Sequence, residues 1–263
     1  MPMSSNPKPT SVKSADRVIT ILELFALRQR PLNLTEIASE LSYPMSSVLA
    51  ILKSLCAKQY VHFDSEHKVY IPTLRVAMMG GWLMGGLFRG GAVIALMQQL
   101  QRDTGETVIL GARNGLYAQY LHTVQSRELL RFYLKPGLLR PITQSAIGRA
   151  LLSRYSHDEL RELIGQLNKE SVLEKNLINA DHLVTEIDEI KAQGYAYTDR
   201  LTEGICAIGM PIPLVYGQSQ CAIAVAGPVF RLKRKKEKVV TAIRALSGIY
   251  LQGGDRLADH GTP

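Results

Sequence analysis

The side chains in this sequence that could act as nucleophiles, bases or metal ligands are few and widely spaced. They include Cys56, Cys206 and Cys221 and the histidines His122, His157 and His182. A catalytic nucleophile needs a base within hydrogen-bonding reach and a group that orients this base, and the spacing indicates neither. No C-x-x-C pair occurs, so neither a structural zinc site nor a disulfide framework is supported. We therefore expect no catalytic residue, no metal and no cofactor, and interpret Cys206 as a packed thiol on a strand.

Charge is the second chemical signal. The chain has 263 residues, a formal net charge of +8 and a pI of about 9.4. This excess favours a polyanionic partner such as nucleic acid, although a solvated basic surface has the same composition. One basic run either contacts DNA or a partner or forms a solvated face: Arg231, Lys233, Arg234, Lys235, Lys236 and Lys238. The sparse, odd cysteine count is typical of a reducing cytoplasm, where we expect the protein.

The polar residues that could bind DNA must be positioned by the N-terminal segment, which predicts three short helices and a hairpin. The apolar stripes of the helices are Ala15, Val18, Ile19, Leu22, Phe25 and Ala26, then Ile37, Ala38 and Leu41, then Val48, Ile51, Leu52 and Leu55. Thr35 is the expected N-cap of the second helix, and Pro44 lies near the start of the third. Alternating runs at 59–63 and 69–71 flank a polar turn. This order predicts a winged helix-turn-helix over residues 14–72, after a disordered tail at 1–13.

The third helix of such a domain enters the major groove through its N-terminal residues. The positions off its apolar stripe are the candidates for base contact: Met45, Ser46, Ser47, Leu49 and Ala50. The candidates for contact with phosphates or the minor groove are Arg17, Thr35 and Lys53 on the helices and His67 and Lys68 at the wing tip. For each of them singly, an ordinary exposed side chain is the competing interpretation.

Residues 73–91 are predicted as a linker that is helical from Thr73 to about Met84. From Val76 to Met97 the chain is almost entirely apolar or glycine, and that length could span a bilayer. Arg89 would then lie inside the membrane, and the six glycines of the run make a poor helix unless it packs closely. Close packing between subunits explains the small residues equally well, so we expect no membrane span.

The pattern beyond the linker predicts strands mixed with helices. The predicted strands are Thr107–Arg113, Leu116–Thr123, Leu129–Leu134, Ile205–Pro211 and Gln220–Gly227. The predicted helices are Ala92–Thr104, Ser145–Tyr155, His157–Ile164, Asp181–Gln193 and Lys233–Leu251. This mixture indicates an α+β sensor-type domain at 92–252 with an antiparallel sheet, not a βαβ dinucleotide fold, followed by a disordered tail at 253–263.

In this order the motifs resemble those of the IclR family of bacterial transcriptional regulators, over about Ser14 to Tyr250. Besides the winged helix-turn-helix, they are Gly137 with Pro141, residues 145–152 (SAIGRALL), Gly194-Tyr195, Gly204-Ile205 with Pro211, and residues 222–228 (AIAVAGP) before Arg231. The resemblance implies a GAF-like effector-binding domain. It also implies a homodimer or homotetramer on palindromic operators in double-stranded DNA, acting as a repressor or activator in carbon-source metabolism.

One departure from the family lies in the DNA-reading helix. Family members commonly carry an arginine where this sequence has Ala50. An arginine at that position can neutralise a phosphate or read a guanine, so either another residue compensates or the operator differs. DNA binding is still expected, because the scaffold is complete.

In relatives the effector lies between the sheet and the helix that starts near Ser145. The resemblance brings these positions to the pocket: Phe132, Ala146, Ile147, Tyr197, Ile205, Ala207, Ala224 and Ala226, with Thr143 as the nearest polar side chain. Relatives that bind small oxo-acids tend to have Asp, Cys and two Ser where this sequence has Tyr197, Ala207, Ala224 and Ala226. A small polar ligand would leave hydrogen bonds unmade here, although simple core packing also explains the alanines.

The sequence therefore predicts an aromatic or otherwise larger, partly apolar effector, whose carboxylate the backbone N–H groups near Ala146 and Ile147 could hold. As a whole it predicts a ligand-responsive, DNA-binding regulator of a catabolic operon that needs no membrane. Two alternatives stay open: an enzyme that uses its C-terminal domain catalytically, and a membrane-attached sensor.

Overall fold

The computed structural model describes residues 12–81, 91–170, 177–216 and 219–251. The chain divides into two compact units between positions 82 and 83. This division falls inside the glycine-rich stretch predicted as the linker. Each unit is described by itself.

The N-terminal unit has the elements of a winged helix-turn-helix, as predicted. Its helices are α1 (Lys13–Arg28), α2 (Leu34–Leu41) and α3 (Met45–Ala57), and its strands are β1 (Leu32–Asn33), β2 (Val61–Asp64) and β3 (Val69–Pro72). The strands pair antiparallel in the order β1-β3-β2, and β2 and β3 form the predicted hairpin. The apolar stripe predicted for α3 is confirmed, because Val48, Leu52 and Leu55 are buried and Ile51 packs against them.

The buried face of α1 differs from the prediction. The helix buries Ile21, Leu24 and Phe25, whereas Ala15, Ile19 and Ala26 of the predicted stripe are exposed. Both sets of residues recur at helical spacing, so periodicity alone does not choose between them. The choice comes from packing against the rest of this unit's core.

The start of α2 also differs, since Asn33 rather than Thr35 is the N-cap. The Asn33 side-chain oxygen accepts a hydrogen bond from the Glu36 backbone N–H at 2.9 Å, and a Glu36 carboxylate oxygen accepts from the Asn33 backbone N–H at 2.8 Å. This reciprocal pair is a capping box, which satisfies two N–H groups at the helix start. Thr35 therefore lies inside the first turn of α2, where it is exposed.

Only part of the predicted linker lies within the described residues. A short helix, α4 (Leu74–Met79), begins after Thr73, whose hydroxyl accepts from the Arg75 N–H at 3.3 Å. The predicted continuation of this helix to residue 84, and Gly90, lie outside the described residues. In the described part of the chain, no helix has the length and apolar character needed to cross a membrane.

The C-terminal unit is built on a six-stranded antiparallel sheet. Its strands are β4 (Thr107–Asn114), β5 (Tyr117–Val124), β6 (Leu139–Pro141), β7 (Ala196–Thr198), β8 (Ile205–Tyr216) and β9 (Ser219–Pro228), in the spatial order β6-β5-β4-β9-β8-β7. Its helices are α5 (Ala92–Thr104), α6 (Ala146–Leu152), α7 (His157–Glu170), α8 (Ala180–Gln193), α9 (Val229–Arg234) and α10 (Lys236–Leu251). The predicted α+β class with an antiparallel sheet is confirmed.

Helices cover both faces of this sheet. On one face, apolar residues of α5 and α10 such as Leu96, Met97 and Val239 form a core with Ile208 of β8. On the other face, α6, α7 and α8 form a second core with the small residues of β9. Gly209 lets α6 approach this face closely, because a Cβ at Gly209 would lie 2.5 Å from the Ala146 carbonyl oxygen.

Some predicted elements are wrong in extent or type. Residues Leu129–Leu134, predicted as a strand, have no strand structure. Side chains satisfy part of the backbone there instead, since the Thr123 hydroxyl donates to the Leu134 carbonyl at 3.0 Å and Arg231 donates to the Leu130 carbonyl at 3.0 Å. The predicted final helix is two helices that meet at Lys235, and α7 continues to Glu170. Strands β6 and β7 were not predicted, because three residues are too short to show alternation.

Candidate functional site

The N-terminal half of α3 presents most of its predicted DNA-contact residues to solvent. Met45 is 50% exposed, and Ser46, Ala50 and Lys53 are also exposed. Leu49 and Ser47 are partly buried. These positions lie opposite the buried stripe of the helix, so the unit's core does not use their outer surfaces.

Arg17 connects α1 to the start of α3. Its guanidinium donates to the Ser47 hydroxyl at 2.7 Å and stacks over the Tyr43 ring at 5.0 Å. Both contacts hold the cation beside the first turn of α3. Sequence reasoning placed Arg17 among the phosphate contacts, and the structure adds that it also orients Ser47.

The wing tip is organised by an aspartate that the sequence analysis did not single out. Asp64 accepts from the backbone N–H groups of Glu66 and His67, and its other oxygen lies 2.7 Å from His67 Nδ1. The hydrogen bond from the His67 side chain holds the pKa of Asp64 below its ordinary value. Both predicted wing residues are exposed, and Lys68 turns the chain at φ +55°. An aspartate that opens a tight polar turn is the sequence signal for this role.

The C-terminal unit has a cavity of about 450 Å³, counting its open mouth, on the sheet face that carries α6. Its lining residues are Tyr120, Phe132, Leu134, Arg140, Ala146, Thr198, Leu201, Thr202, Ile205, Cys206, Ala207 and Ala226. Five of the nine predicted effector positions are therefore brought together here: Phe132, Ala146, Ile205, Ala207 and Ala226.

Tyr197 was predicted to line the effector pocket, but it lies on the face of the sheet opposite the cavity. In the antiparallel register of β7 and β8, Tyr197 faces Ile208, and both belong to the core under α5 and α10. The next residue, Thr198, faces Ala207 and lines the cavity. A shift of one residue reverses the face of a strand, so the cavity is lined by the Thr198 hydroxyl and not by the Tyr197 ring.

Three other predicted positions also lie outside the cavity. Ala224 is fully buried in the core, and Ile147 packs under Gly111, where a Cβ would meet its Cγ2 at 2.8 Å. Thr143 lines a separate cavity beside Arg149 and Glu186. Because α6 packs closely on the sheet, no space for a ligand remains next to Ala224 and Ile147.

The polar groups of the cavity were missed by the sequence analysis. Thr198 is buried, and its hydroxyl donates to the Gln144 carbonyl at 2.9 Å. Tyr120 is 6% exposed, and burial raises the pKa of its phenol, which the neighbouring Arg140 opposes. The alternation of β5 could have indicated Tyr120, since Ala118 and Tyr120 share one face of that strand.

A cluster of charged side chains lies next to the cavity. Glu186 accepts from Arg200 at 2.5 Å and lies 3.1 Å from Arg149, which donates to the Thr143 carbonyl at 3.1 Å. Burial raises the pKa of Glu186, but the Arg200 hydrogen bond and the Arg149 charge outweigh it, so its pKa lies below the ordinary value. The cluster thus connects α6 and α8 to the segment between β7 and β8, which lines the cavity.

A buried acid, Glu106, explains part of the basic run near the C-terminus. Glu106 is fully buried and lies 2.7 Å from Arg231 and 3.4 Å from Lys235. Gly227 makes room for it, because a Cβ there would lie 2.5 Å from Glu106 Oε2. Arg231 and Lys235 therefore have a partner inside this unit.

Cys206 and His157 have structural contacts. Burial raises the pKa of the Cys206 thiol, and Cys206 contacts the Tyr197 hydroxyl. His157 lies 3.0 Å from Asp188 at the surface. Within residues 12–81, 91–170, 177–216 and 219–251, no three His, Cys, Asp or Glu side chains are grouped so that they could hold a metal ion.

Family comparison identifies both units. Residues 14–65 match the IclR helix-turn-helix domain, and residues 92–248 match the domain described as bacterial transcriptional regulator IclR C-terminal. This chain belongs to the IclR family. The two matched segments follow each other as the winged helix-turn-helix and the sheet-based unit do in the structure.

Curated IclR-type relatives match over most of their length. The HTH-type transcriptional regulator BhcR of Paracoccus denitrificans is 30% identical over 245 residues, covering 90% of this chain and 86% of that protein. KdgR of Escherichia coli is 25% identical, covering 87% of each chain. The repressor AllR of Escherichia coli is 25% identical, covering 86% of this chain and 84% of that protein. These relatives are transcriptional regulators.

Solved IclR structures share the fold. A regulator from Alicyclobacillus acidocaldarius has a TM-score of 0.71 at 19% identity, covering 91% of this chain and 98% of that one. An IclR homologue from Microbacterium hydrocarbonoxydans, complexed with 4-hydroxybenzoate, has a TM-score of 0.71 at 15% identity, covering 90% and 97%. The IclR fold thus extends over both units.

Proposed function

We propose that this IclR-family chain is a cytoplasmic regulator of a catabolic operon whose effector is an aromatic or partly apolar carboxylate. The observation that carries the effector class is the lining of the cavity. Seven of its residues are aliphatic or aromatic hydrocarbons, three offer hydroxyl groups and one is an arginine. Such a lining is typical of small-molecule sites, which are mostly apolar with a few polar groups.

The structural neighbour complexed with 4-hydroxybenzoate supports this class. That protein has the same fold and binds an aromatic carboxylate. In the present chain, Phe132 offers a ring surface, and Ala207 and Ala226 leave room where longer side chains would fill the cavity. A small oxo-acid would find few hydrogen-bonding partners there, which lowers its affinity relative to a ligand with an apolar body.

For DNA, we propose that the start of α3 reads base edges and that the wing and helix starts contact phosphates. The residues assigned to this role are Arg17, Thr35, Met45, Ser46, Ser47, Leu49, Ala50, Lys53, His67 and Lys68. Exposure of Ser46 and Lys53 on α3 and of His67 and Lys68 at the wing tip supports the assignment. Arg17, held beside Ser47 at the start of α3, is a cation that can compensate for the arginine that family members commonly carry at the position of Ala50.

We further propose that the chain acts as a homodimer or homotetramer on a palindromic operator. Helix α4 buries none of its residues, and Leu74, Met78 and Met79 are 82%, 75% and 60% exposed. Apolar side chains on a short exposed helix favour packing against a second copy. Two reading heads held in this way match two half-sites, and an effector that favours one arrangement of the sensor changes their spacing.

A footprint on the DNA upstream of the chain's own gene tests the proposal. At fixed salt, we expect protection of two half-sites by the wild-type protein and a shift in its midpoint with one of a panel of aromatic or aliphatic acids. The doubly substituted head Ser46→Ala, Lys53→Gln should lose protection while its circular dichroism is unchanged. Absence of protection at every protein concentration would contradict DNA regulation at this site. Protection that no acid alters would contradict the effector class alone.

A further inference from the structure

One cation lines the proposed effector cavity. Arg140 lies on β6 at the sheet edge, directly opposite Ala118 of β5 in the antiparallel register. Residues directly opposite each other in such a pair project to the same face of the sheet. Ala118 is fully buried in the core beneath α6, so Arg140 lies on the cavity face, and it is among the residues that line the cavity.

Arg140 differs from the arginines of this unit that form ion pairs. Arg149 and Arg200 pair with Glu186, Arg231 pairs with Glu106, and Arg161 pairs with Asp181. Among the described residues, no aspartate or glutamate oxygen lies within 4 Å of the Arg140 side chain. Its polar neighbour in the cavity is the Tyr120 hydroxyl, which is neutral near pH 7.

The rest of the cavity favours an anion at this point. A partly buried guanidinium without a carboxylate partner is poorly compensated in an apolar cavity, and a bidentate carboxylate satisfies its planar fork. The start of α6 offers fewer donors to the cavity, because the Ser145 hydroxyl already accepts from the Gly148 N–H at 3.0 Å and Ile147 does not line the cavity. Phe132 lines the same cavity and can hold the apolar body of a ligand whose acid group lies at Arg140.

We infer that Arg140 binds the carboxylate of the effector and makes the cavity select acids over neutral analogues of the same shape. The inference rests on the proposed function, since it names the residue that recognises the proposed effector class. It also replaces the backbone N–H groups of Ala146 and Ile147 as the expected carboxylate site.

Paired ligands test this selectivity by calorimetry on the full chain. The probes are benzoate, 4-hydroxybenzoate and phenylacetate, each with its carboxamide. We expect the wild type to bind at least one acid about 10- to 100-fold more tightly than its amide, the usual difference for a charge-assisted hydrogen bond. Arg140→Gln should weaken acid binding by about the same factor and change amide binding by less than about threefold, so that the preference disappears.

Two matched variants complete the experiment. Arg131→Gln removes an exposed arginine nearby whose hydrogen bond goes to the Glu128 carbonyl, and it should leave both affinities unchanged. Arg140→Lys keeps the charge but loses the planar fork, so it should retain only part of the acid preference. This variant also decides the question if Arg140→Gln fails to fold by circular dichroism, because an unchanged preference in Arg140→Lys would overturn the inference.

The outcomes separate this inference from the proposed function. If an acid binds the wild type and Arg140→Gln keeps the acid preference, Arg140 is not the carboxylate site, while the effector class stands. If no acid of the panel binds the wild type, the effector class fails and the inference fails with it. If the preference vanishes in Arg140→Gln alone, both are supported.

Discussion

The two units of this regulator differ in whether they bury charged groups. In the DNA-reading head, Lys53 and Lys68 are exposed and the ion pairs are on the surface, as in Arg28–Glu40, with side chains 45% and 27% exposed. In the sensor, Glu106 is fully buried and Arg149 nearly so, and both are paired. Exposed charges contribute little to folding and remain available to a polyanion, whereas buried charges are costly unless paired.

The two units should therefore respond differently when a charged residue is substituted. Substituting a charge in the head should change DNA affinity and leave stability almost unaltered. Substituting a paired charge in the sensor should change stability first. Arg140 lies in the cavity without an acidic partner among the described residues, so its substitution should change ligand binding before stability. Three substitutions of charged residues test this contrast, and a fourth, at Gly209, tests the packing of the sensor.

The largest expected effect is at Glu106. Glu106→Gln leaves Arg231 without its anionic partner in a buried site, and we expect the free energy of unfolding to fall by about 3 kcal/mol. Urea denaturation of the purified protein measures it. Glu189→Gln, on the exposed side of α8, is the matched control and should stay within about 0.5 kcal/mol of the wild type. Equal stabilities for the two variants would remove the contrast between the units.

Next is Gly209, which sets the distance between α6 and the sheet. Gly209→Ala places a Cβ against the Ala146 backbone, which cannot rotate away, so we expect a loss of about 1–3 kcal/mol. Gly165→Ala is the control, and for this variant we expect a gain in stability. It lies in α7 with open space around it, and alanine there should stabilise by about 0.5–1 kcal/mol. A neutral Gly209→Ala would show that α6 can move outward at little cost.

Glu186 gives a pH-dependent version of the same contrast. Its folded pKa lies below the ordinary value of 4.5, so its carboxylate stabilises the fold above that value and loses the effect as pH falls through the folded pKa. At pH 7, Glu186→Gln should be less stable by about 1–2 kcal/mol. Unfolding curves from pH 7 to pH 3 should show this difference narrowing below pH 4.5. A difference that grows on acidification would mean that the Arg149 and Arg200 contacts are not stabilising.

The smallest effect on free energy is expected at Lys53. Lys53→Gln should weaken binding to all DNA sequences by a few-fold and reduce the slope of log affinity against log salt by about 1. Fluorescence anisotropy at several salt concentrations measures both quantities, and the unfolding curve should not change. Lys191→Gln in the sensor is the control with the same loss of charge. Matching salt slopes for the two variants would show that overall charge, not the α3 surface, governs the affinity.

Prediction from sequence succeeded for the exposed surface of α3. The apolar stripe of this helix is buried and leaves Ser46 and Lys53 exposed, as its periodicity predicts. Contact of these two residues with DNA stays a prediction. The cavity was predicted less well, because it is lined by the same residue types as the core around it. One residue of register separates Tyr197 from Thr198, and the close seat of α6 excludes Ala224 and Ile147. Arg140 was missed because its strand is three residues long.

Both edges of the sensor sheet are three-residue strands, β6 and β7, and β6 ends in Pro141. An exposed sheet edge is a template on which other chains can add strands and aggregate. Here an incoming strand could pair with only three residues at each edge, and Pro141 has no N–H group to donate. A sheet with such short edge strands is poorly suited to add strands from its own copies.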